Sequence, residues 1–374
     1  MRTEGHAKHT KRFVQIVRKS VKSLLSPETV VPFTVKNVIR NEKTADVKVV
    51  VGDLTDLLKR AFLYRESLKL DTNAMRLVNG RRDGLEGLII DRFNKHFVVY
   101  VLDVGWHAHQ RTINDALVGH FEVEYLVFKD RTVSHSRSAS HIAVDVLIGQ
   151  GNSRTVIEEN GLHFHVDLND HLNQGLFLDM RKNRQLLASY AAGRSVLNCF
   201  AYTCSFGVYC RKSGASRLTN VDISAKFLQK GKENYRLNHL HEGRSEFVQE
   251  NTLLYLDRAS KRNNFFDIII LDPPSFSRFK GTVFSVKKDM SLLIEKAFHA
   301  LTPEGMLFVS TNLSSISRLQ LEEWAQQASL KAGRRIIEVD HCGQDIEFRG
   351  CGLMKESFLS ALLLKTKLLH AKKI

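Results

Sequence analysis

The 374-residue sequence is short of proline and cysteine, with five of each. No two cysteines form a Cys-x-x-Cys pair, which argues against a disulfide framework or a zinc finger and suits a reducing compartment, so a cytoplasmic protein is expected. No apolar run approaches the roughly 18 residues of a membrane span. The basic start, residues 1–22, has no signal-peptide core. Repeats and low-complexity tracts are absent. Acid is scarce as well: 40 Asp+Glu against 55 Lys+Arg leaves +15. Such an excess suits either a plain soluble basic protein or one that draws phosphates, and the second reading, a polyanionic partner, is preferred. The His-x-His pairs at 107/109, 163/165 and 239/241 lack a third ligand at metal spacing, so no metal site is expected. What the chain does have is apolar residues, 43% of the total, enough for two or three domains with a sizeable core.

Residues 1–67 form a basic segment. Lys8, Lys11, Arg12, Arg18, Lys19 and Lys22 interleave with Phe13, Ile16, Val17 and Val21, a spacing that predicts an amphipathic helix ending near Pro27. That helix either docks on the protein or touches RNA. Residues 35–53 allow a small hairpin, and a helix is expected from Leu54 to Leu70. Residues 68–153 read as a small α+β domain for substrate or RNA: strands over 87–93, 96–102, 125–129 and 143–148, a helix over 107–118, and a polar loop over 134–140. Within 154–374, a hairpin over 155–167 turns at Asn160-Gly161, whose residue types suit a type I′ turn, and strand-helix alternation follows. Strands are expected over 195–200, 217–221, 246–249, 266–271, 306–310, 335–339 and 358–365. Helices are expected over 204–212, 225–237 with Ser224 as cap, 252–259, 289–301 and 319–332. Such alternation predicts an α/β, Rossmann-like sheet, mostly parallel, with helices on both faces.

Ligands on such sheets bind outside the carboxyl ends of the strands, at the switch point. Two stretches supply that place here: Val196–Gly207, VLNCFAYTCSFG, and Leu271–Arg278, LDPPSFSR. Asp222 follows the first stretch at about the 20-residue spacing of a ribose-binding acid. The loop after the first strand lacks the G-x-G-x-x-G that cradles a pyrophosphate. A nucleoside cofactor without phosphates is therefore preferred, and S-adenosylmethionine fits. Asp272, Pro273, Pro274 and Phe276 form the substrate side. The prolines stiffen the turn, Asp272 faces the cleft, and Phe276 offers a ring on which a base can stack.

With GLFLDMRKNR upstream and VDIS after the second strand, these stretches resemble class I S-adenosylmethionine-dependent methyltransferases. They are most similar to the bacterial 23S rRNA large-subunit enzymes that make 5-methylcytosine or 7-methylguanosine. The segment TNAMRLVNGRRDGLEGLIIDRF resembles the central domain of that family. The resemblance implies a Rossmann-like methyltransferase sheet preceded by the smaller domain, with 23S rRNA or a ribosomal particle as partner. It implies a lid of Phe177, Asp179, Arg181 and Arg184 over the cofactor. Phe200, Ala201, Tyr202 and Thr203 would lie at its methionine end and Asp222 at the ribose, with Asn198 and Ile223 also binding the cofactor. Asn251 stands where the family places an acid on the adenine amino group, with Glu250 beside it as a substitute.

Cysteine separates the chemistries. Methylation at cytosine C5 needs a thiolate to add at C6 first. The 5-methylcytosine relatives carry Ser-Cys after the fifth strand, where this chain reads Ser310-Thr311-Asn312, closer to the Ser-Asn-Asn of the guanine-7 relatives. Asn312 can orient a base through its amide. The expectation is a methyltransferase acting on guanine N7. The alternatives are a cytosine C5 enzyme, an RNA-binding factor with a non-catalytic cofactor site, or a small-molecule methyltransferase, against which the charge argues.

Overall fold

A computed structural model describes residues 51–132, 143–149, 152–170, 173–242, 246–279, 282–351 and 359–369. The basic helix of residues 1–22, most of the 35–53 hairpin and the polar 134–140 loop lie outside them.

Helix α1 (Val51–Ser67) buries Leu54, Leu58, Ala61 and Phe62, one face at helical spacing. Strands β1 (Ala74–Asn79), β2 (Leu88–Phe93) and β3 (His96–Val101) then run antiparallel. A 3-10 turn (Val104–His109) leads into α2 (Gln110–His120), where one helix from His107 was expected. This crossover lets β4 (Tyr125–Asp130) pair parallel with β3, and β5 (Ala143–Ile148) closes a five-stranded sheet in sequence order. Strand β1 is an addition to the sequence reading.

β6 (Arg154–Glu159) and β7 (Leu162–Asp167) form the hairpin, with positive φ at both Asn160 (52°) and Gly161 (71°), as a type I′ turn requires. The hairpin touches both halves. Thr72 bridges to Glu159, and Asn234 and Asn238 accept from the main-chain N–H groups of His165 and His163.

Next come α3 (Arg181–Ala191), β8 (Ser195–Cys199), α4 (Ser205–Lys212), β9 (Arg217–Asp222), α5 (Ala225–Leu237) and β10 (Phe247–Gln249). α6 (Thr252–Lys261), β11 (Phe266–Leu271), β12 (Phe276–Phe279), β13 (Thr282–Ser285) and α7 (Val286–His299) follow. β14 (Leu301–Thr311), α8 (Arg318–Lys331), β15 (Arg334–Cys342) and β16 (Ser360–Leu368) complete the described chain. The large sheet has the order β10-β9-β8-β11-β14-β16-β15. The first five neighbours are parallel, and β16 runs antiparallel to both β14 and β15. β8 and β11 flank the point where strand order reverses, the place for a ligand.

Two expectations change. The residues after Pro274 form the antiparallel hairpin β12–β13, which brings the start of α7 forward to Val286. Leu301 opens a strand rather than ending a helix. The Pro303-Glu304-Gly305 stretch lies within β14, and the register beside β11 shifts there, from Phe266 opposite Leu301 to Ile268 opposite Met306.

β11 is apolar on both faces because both are covered. Ile268 and Ile270 pack into one cluster, Ile269 and Leu271 into another. The first cluster also contains Phe93, Val98, Tyr100 and Tyr125 from the small sheet, so the two sheets share a core. Ion pairs reinforce it. Arg184 grips Glu159 bidentately at 2.8 and 2.8 Å, with both side chains at most 1% exposed. Arg181 pairs with Asp345 at 3.0 Å and with Glu347. Removing one partner of a buried pair strands the other charge. Arg184→Met should therefore lose about 3–5 kcal/mol in denaturant melts, and adding Glu159→Met should restore most of it. Additive losses in that double-mutant cycle would mean the pair is not the source of the stability.

Candidate active site

Outside the carboxyl ends of β8, β9, β11 and β14 lies a cavity of about 400 Å³. It is lined from the sequence-predicted set by Phe177, Asp179, Phe200, Tyr202, Asp222, Ile223, Asn251, Asp272, Pro273, Pro274, Phe276 and Asn312.

The loop after β8 is conformationally unusual. Phe200, Tyr202 and Cys204 all have positive φ (56°, 50° and 60°), a region that non-glycine residues enter at a cost. Neighbours hold it. Asp222 accepts from the Tyr202 N–H at 2.9 Å, Thr203 donates to the Gly175 carbonyl at 2.6 Å, and Asn234 donates to the Thr203 carbonyl at 3.0 Å. Helix α4 then starts close against the sheet. At Gly207 a β-carbon would come within 2.3 Å of the Asn220 amide oxygen, so only glycine fits.

Asp222 ends β9 and is 9% exposed. Burial raises its pKa, opposed by hydrogen bonds from the N–H groups of Ser224 (2.8 Å) and Tyr202. Asp272 ends β11. Burial pushes its carboxyl up to about 6, against the Ser310 hydroxyl, which donates to it at 2.6 Å; Asp179 raises it further. The Asp179 pKa is raised by burial too, while Arg76 and Arg184 oppose the rise. Three acids thus face a cavity whose one basic lining residue among those described is Arg278. On the far side, Ser275 donates to the Asn312 amide oxygen at 3.0 Å, and Phe276 is 52% exposed.

The lid reading needs correction at two arginines. Arg181 and Arg184 are buried, and their guanidinium groups are bound to carboxylates, because their partners come from elsewhere in the fold. Arg184 acts on the site through the Phe177 carbonyl, to which it donates at 2.9 Å. Asn198, Ala201 and Thr203 lie behind the cavity wall: Asn198 donates to Asn220, and Ala201 is buried. Asn251 lines the cavity, but its amide oxygen caps α6, accepting from Leu253 and Leu254 at 2.9 and 3.3 Å. An adenine amino group therefore does not find that oxygen free, and the Asn251 NH2 group is left as a donor. Glu250 pairs with Arg258 and does not line the cavity. Sequence reasoning missed Asn173, Met180, Ser224, Phe227, Thr252, Leu253, Ser277, Arg278 and Phe284. Phe227 was findable, one turn past the Ser224 cap it donates to at 3.3 Å. Phe284 and Arg278 depend on the unforeseen hairpin.

All five cysteines are described, and none lines the cavity. Burial raises every thiol: Cys210 to about 12, Cys342 and Cys351 to about 11, Cys199 and Cys204 further.

The donor set suits S-adenosylmethionine. A buried carboxylate at the end of β9 suits ribose hydroxyls, two more acids suit a cation, and the loop after β8 has no glycine cradle for a pyrophosphate. Comparison with known proteins agrees. A ribosomal RNA large subunit methyltransferase I of Tolumonas auensis is 32% identical over 74% of this chain and 71% of its own. Its counterpart in Aeromonas hydrophila is 32% identical over 71% and 68%. Among solved structures, the methyltransferase SMU.776 in complex with SAH matches with a TM-score of 0.76 at 26% identity, covering 87% of this chain and 83% of that one. A SAM-dependent methyltransferase of Streptococcus mutans matches at 0.74, also with 26% identity and the same coverage of 87% and 83%. The family model of S-adenosylmethionine-dependent methyltransferases matches residues 122–345. The chain belongs to that family and is an S-adenosylmethionine-dependent methyltransferase.

Proposed function

We propose that the chain methylates guanine N7 in large-subunit ribosomal RNA, as a three-part protein: the basic segment 1–67, the RNA-facing domain 68–153 and the methyltransferase domain 154–374. The relatives are named for ribosomal RNA, and the +15 charge suits that substrate. The observation that carries the choice of atom is the missing thiol: no cysteine lines the cavity, and four of the five are buried. Cytosine C5 needs a covalent nucleophile, whereas N7 already has a free lone pair.

When bound, S-adenosylmethionine supplies an electrophilic methyl group on a sulfonium. The protein then has only to position the acceptor, which can be worth several orders of magnitude. Phe276 offers a face for the base, and Asn312, steadied by Ser275, offers its amide NH2 to guanine O6. Asp222 holds the ribose hydroxyls, and Asp272 and Asp179 stabilise the cationic end of the cofactor.

RNA methylated at N7 carries a fixed charge on the imidazole ring and breaks after reduction and aniline treatment. Incubation with enzyme and cofactor should create one new break in large-subunit rRNA. RNA containing 5-fluorocytosine should give no covalent adduct with the protein. A trapped adduct lost on mutating one cysteine would establish the cytosine C5 alternative instead. Methyl incorporation without cleavage would reject N7 and leave the other guanine nitrogens.

A further inference from the structure

We infer that the β12–β13 hairpin and the start of α7 form a phosphate clamp for the RNA strand at the cavity mouth, with Arg278 as its central contact. This rests on the RNA-methyltransferase reading and adds a site to it.

Arg278 and Phe276 lie two residues apart on β12, and a strand puts such residues on one face. The Arg278 guanidinium lies over the Phe276 ring, 5.3 Å from its centroid. Both side chains are exposed, and both line the cavity. The hairpin is anchored at its base, where the Val286 N–H donates to the Ser275 carbonyl at 3.2 Å, so Lys287 and Lys288 follow directly from the anchored end. Both lysines are exposed. Among the described residues none of these three cations has a carboxylate within ion-pair distance, whereas Lys296 on the same helix pairs with Asp257, and Lys331 of α8 pairs with Glu295 of α7. The one acid in the first turn of α7, Asp289, is turned back to accept from the Ser285 N–H at 2.7 Å.

An unpaired arginine over an exposed ring, with two unpaired lysines following at the anchored end of the hairpin, matches a nucleotide: an aromatic face for a base, a planar guanidinium for its phosphate. A second anion could compete for Arg278, the carboxylate of the cofactor's methionine tail. The hairpin continues directly from the Asp272-Pro273-Pro274 turn, the part of the cavity given above to the base, which favours the RNA phosphate.

Two measurements on the full chain decide. RNA binding is titrated against salt with a single-stranded fragment of large-subunit rRNA, and S-adenosylhomocysteine affinity is measured by calorimetry, for the native chain and for Arg278→Gln and Lys287→Gln/Lys288→Gln. Arg278→Gln should lower the slope of log affinity against log salt by about 0.7, the contribution of one single-strand phosphate, and weaken RNA binding by about tenfold or more. Cofactor affinity should not move, and Arg278→Lys should restore the slope but not the full affinity. Weakened cofactor binding with an unchanged salt slope would overturn the clamp and hand Arg278 to the methionine carboxylate. An unchanged slope and unchanged cofactor affinity would overturn it as well. A native chain that binds RNA yet never methylates it would count against the proposed function and leave the clamp standing.

Discussion

Asp222→Ala should weaken S-adenosylmethionine binding by about two to three orders of magnitude. The carboxylate is the one acid at the end of β9, and its two oxygens already accept from the Tyr202 and Ser224 N–H groups at 2.9 and 2.8 Å. The same group therefore positions the loop and lines the cavity, where the proposed ribose contact would form. Asparagine is no gentle replacement, because its NH2 group would point at one of those two N–H donors. Alanine leaves both donors without an acceptor, so the melting temperature should fall by a few degrees while the circular dichroism spectrum stays that of the native chain. The two roles separate with a second ligand. The native chain should bind 2′,3′-dideoxy S-adenosylhomocysteine about as poorly as Asp222→Ala binds the parent compound. If the native chain binds the dideoxy ligand as tightly as the parent, Asp222 acts through the loop and not through the ribose.

That double duty explains what the sequence could and could not disclose. Asp222, Asp272 and Asn312 were legible because strand ends are local features: an apolar run stops at a polar residue, and the topology of a parallel sheet brings such ends together. The β6–β7 hairpin was legible for the same reason, from Asn160-Gly161 alone. Arg181 and Arg184 were misread because their roles are set by partners far along the chain. Glu347 is 166 residues from Arg181, and Glu159 is 25 from Arg184. No local pattern distinguishes an arginine held in a buried pair from one aimed at a ligand. Asn251 shows a subtler limit: a residue type suited to an adenine contact is equally suited to a helix cap, and the cap took its oxygen. The β12–β13 hairpin escaped because its turn lacks the Asn-Gly or Asp-Gly signal, and its strands are only four residues each. With it went Arg278 and Phe284, two of the cavity's lining residues.

Asp272 should prove the most consequential residue for turnover. Its carboxyl is pushed up to about 6 by burial, so it titrates within reach of experiment. The reacting complex contains a sulfonium, and a neutral Asp272 offers that cation nothing. The methylation rate at subsaturating cofactor should therefore be flat above about pH 7 and fall close to tenfold per unit below about pH 6. Asp272→Asn should remove that arm of the profile and lower kcat by about three orders of magnitude, the larger part of what a well-placed charge contributes in a dry site. Stability should move the opposite way. The folded-state pKa of this acid is raised above its unfolded value, so the fold favours the protonated form. Its contribution is full below the unfolded value of about 4 and is lost as pH rises through about 6. Asparagine resembles the protonated acid in carrying no charge, although its NH2 group cannot accept from the Ser310 hydroxyl as the carboxylate oxygen does. Asp272→Asn should accordingly melt higher than the native chain at about pH 8 and no higher at about pH 4. A variant that loses activity and stability together at about pH 8 would show that Asp272 is held by its hydrogen bond as a structural strut. A variant that gains stability while losing turnover would mark it as a charge the fold tolerates for the sake of the reaction.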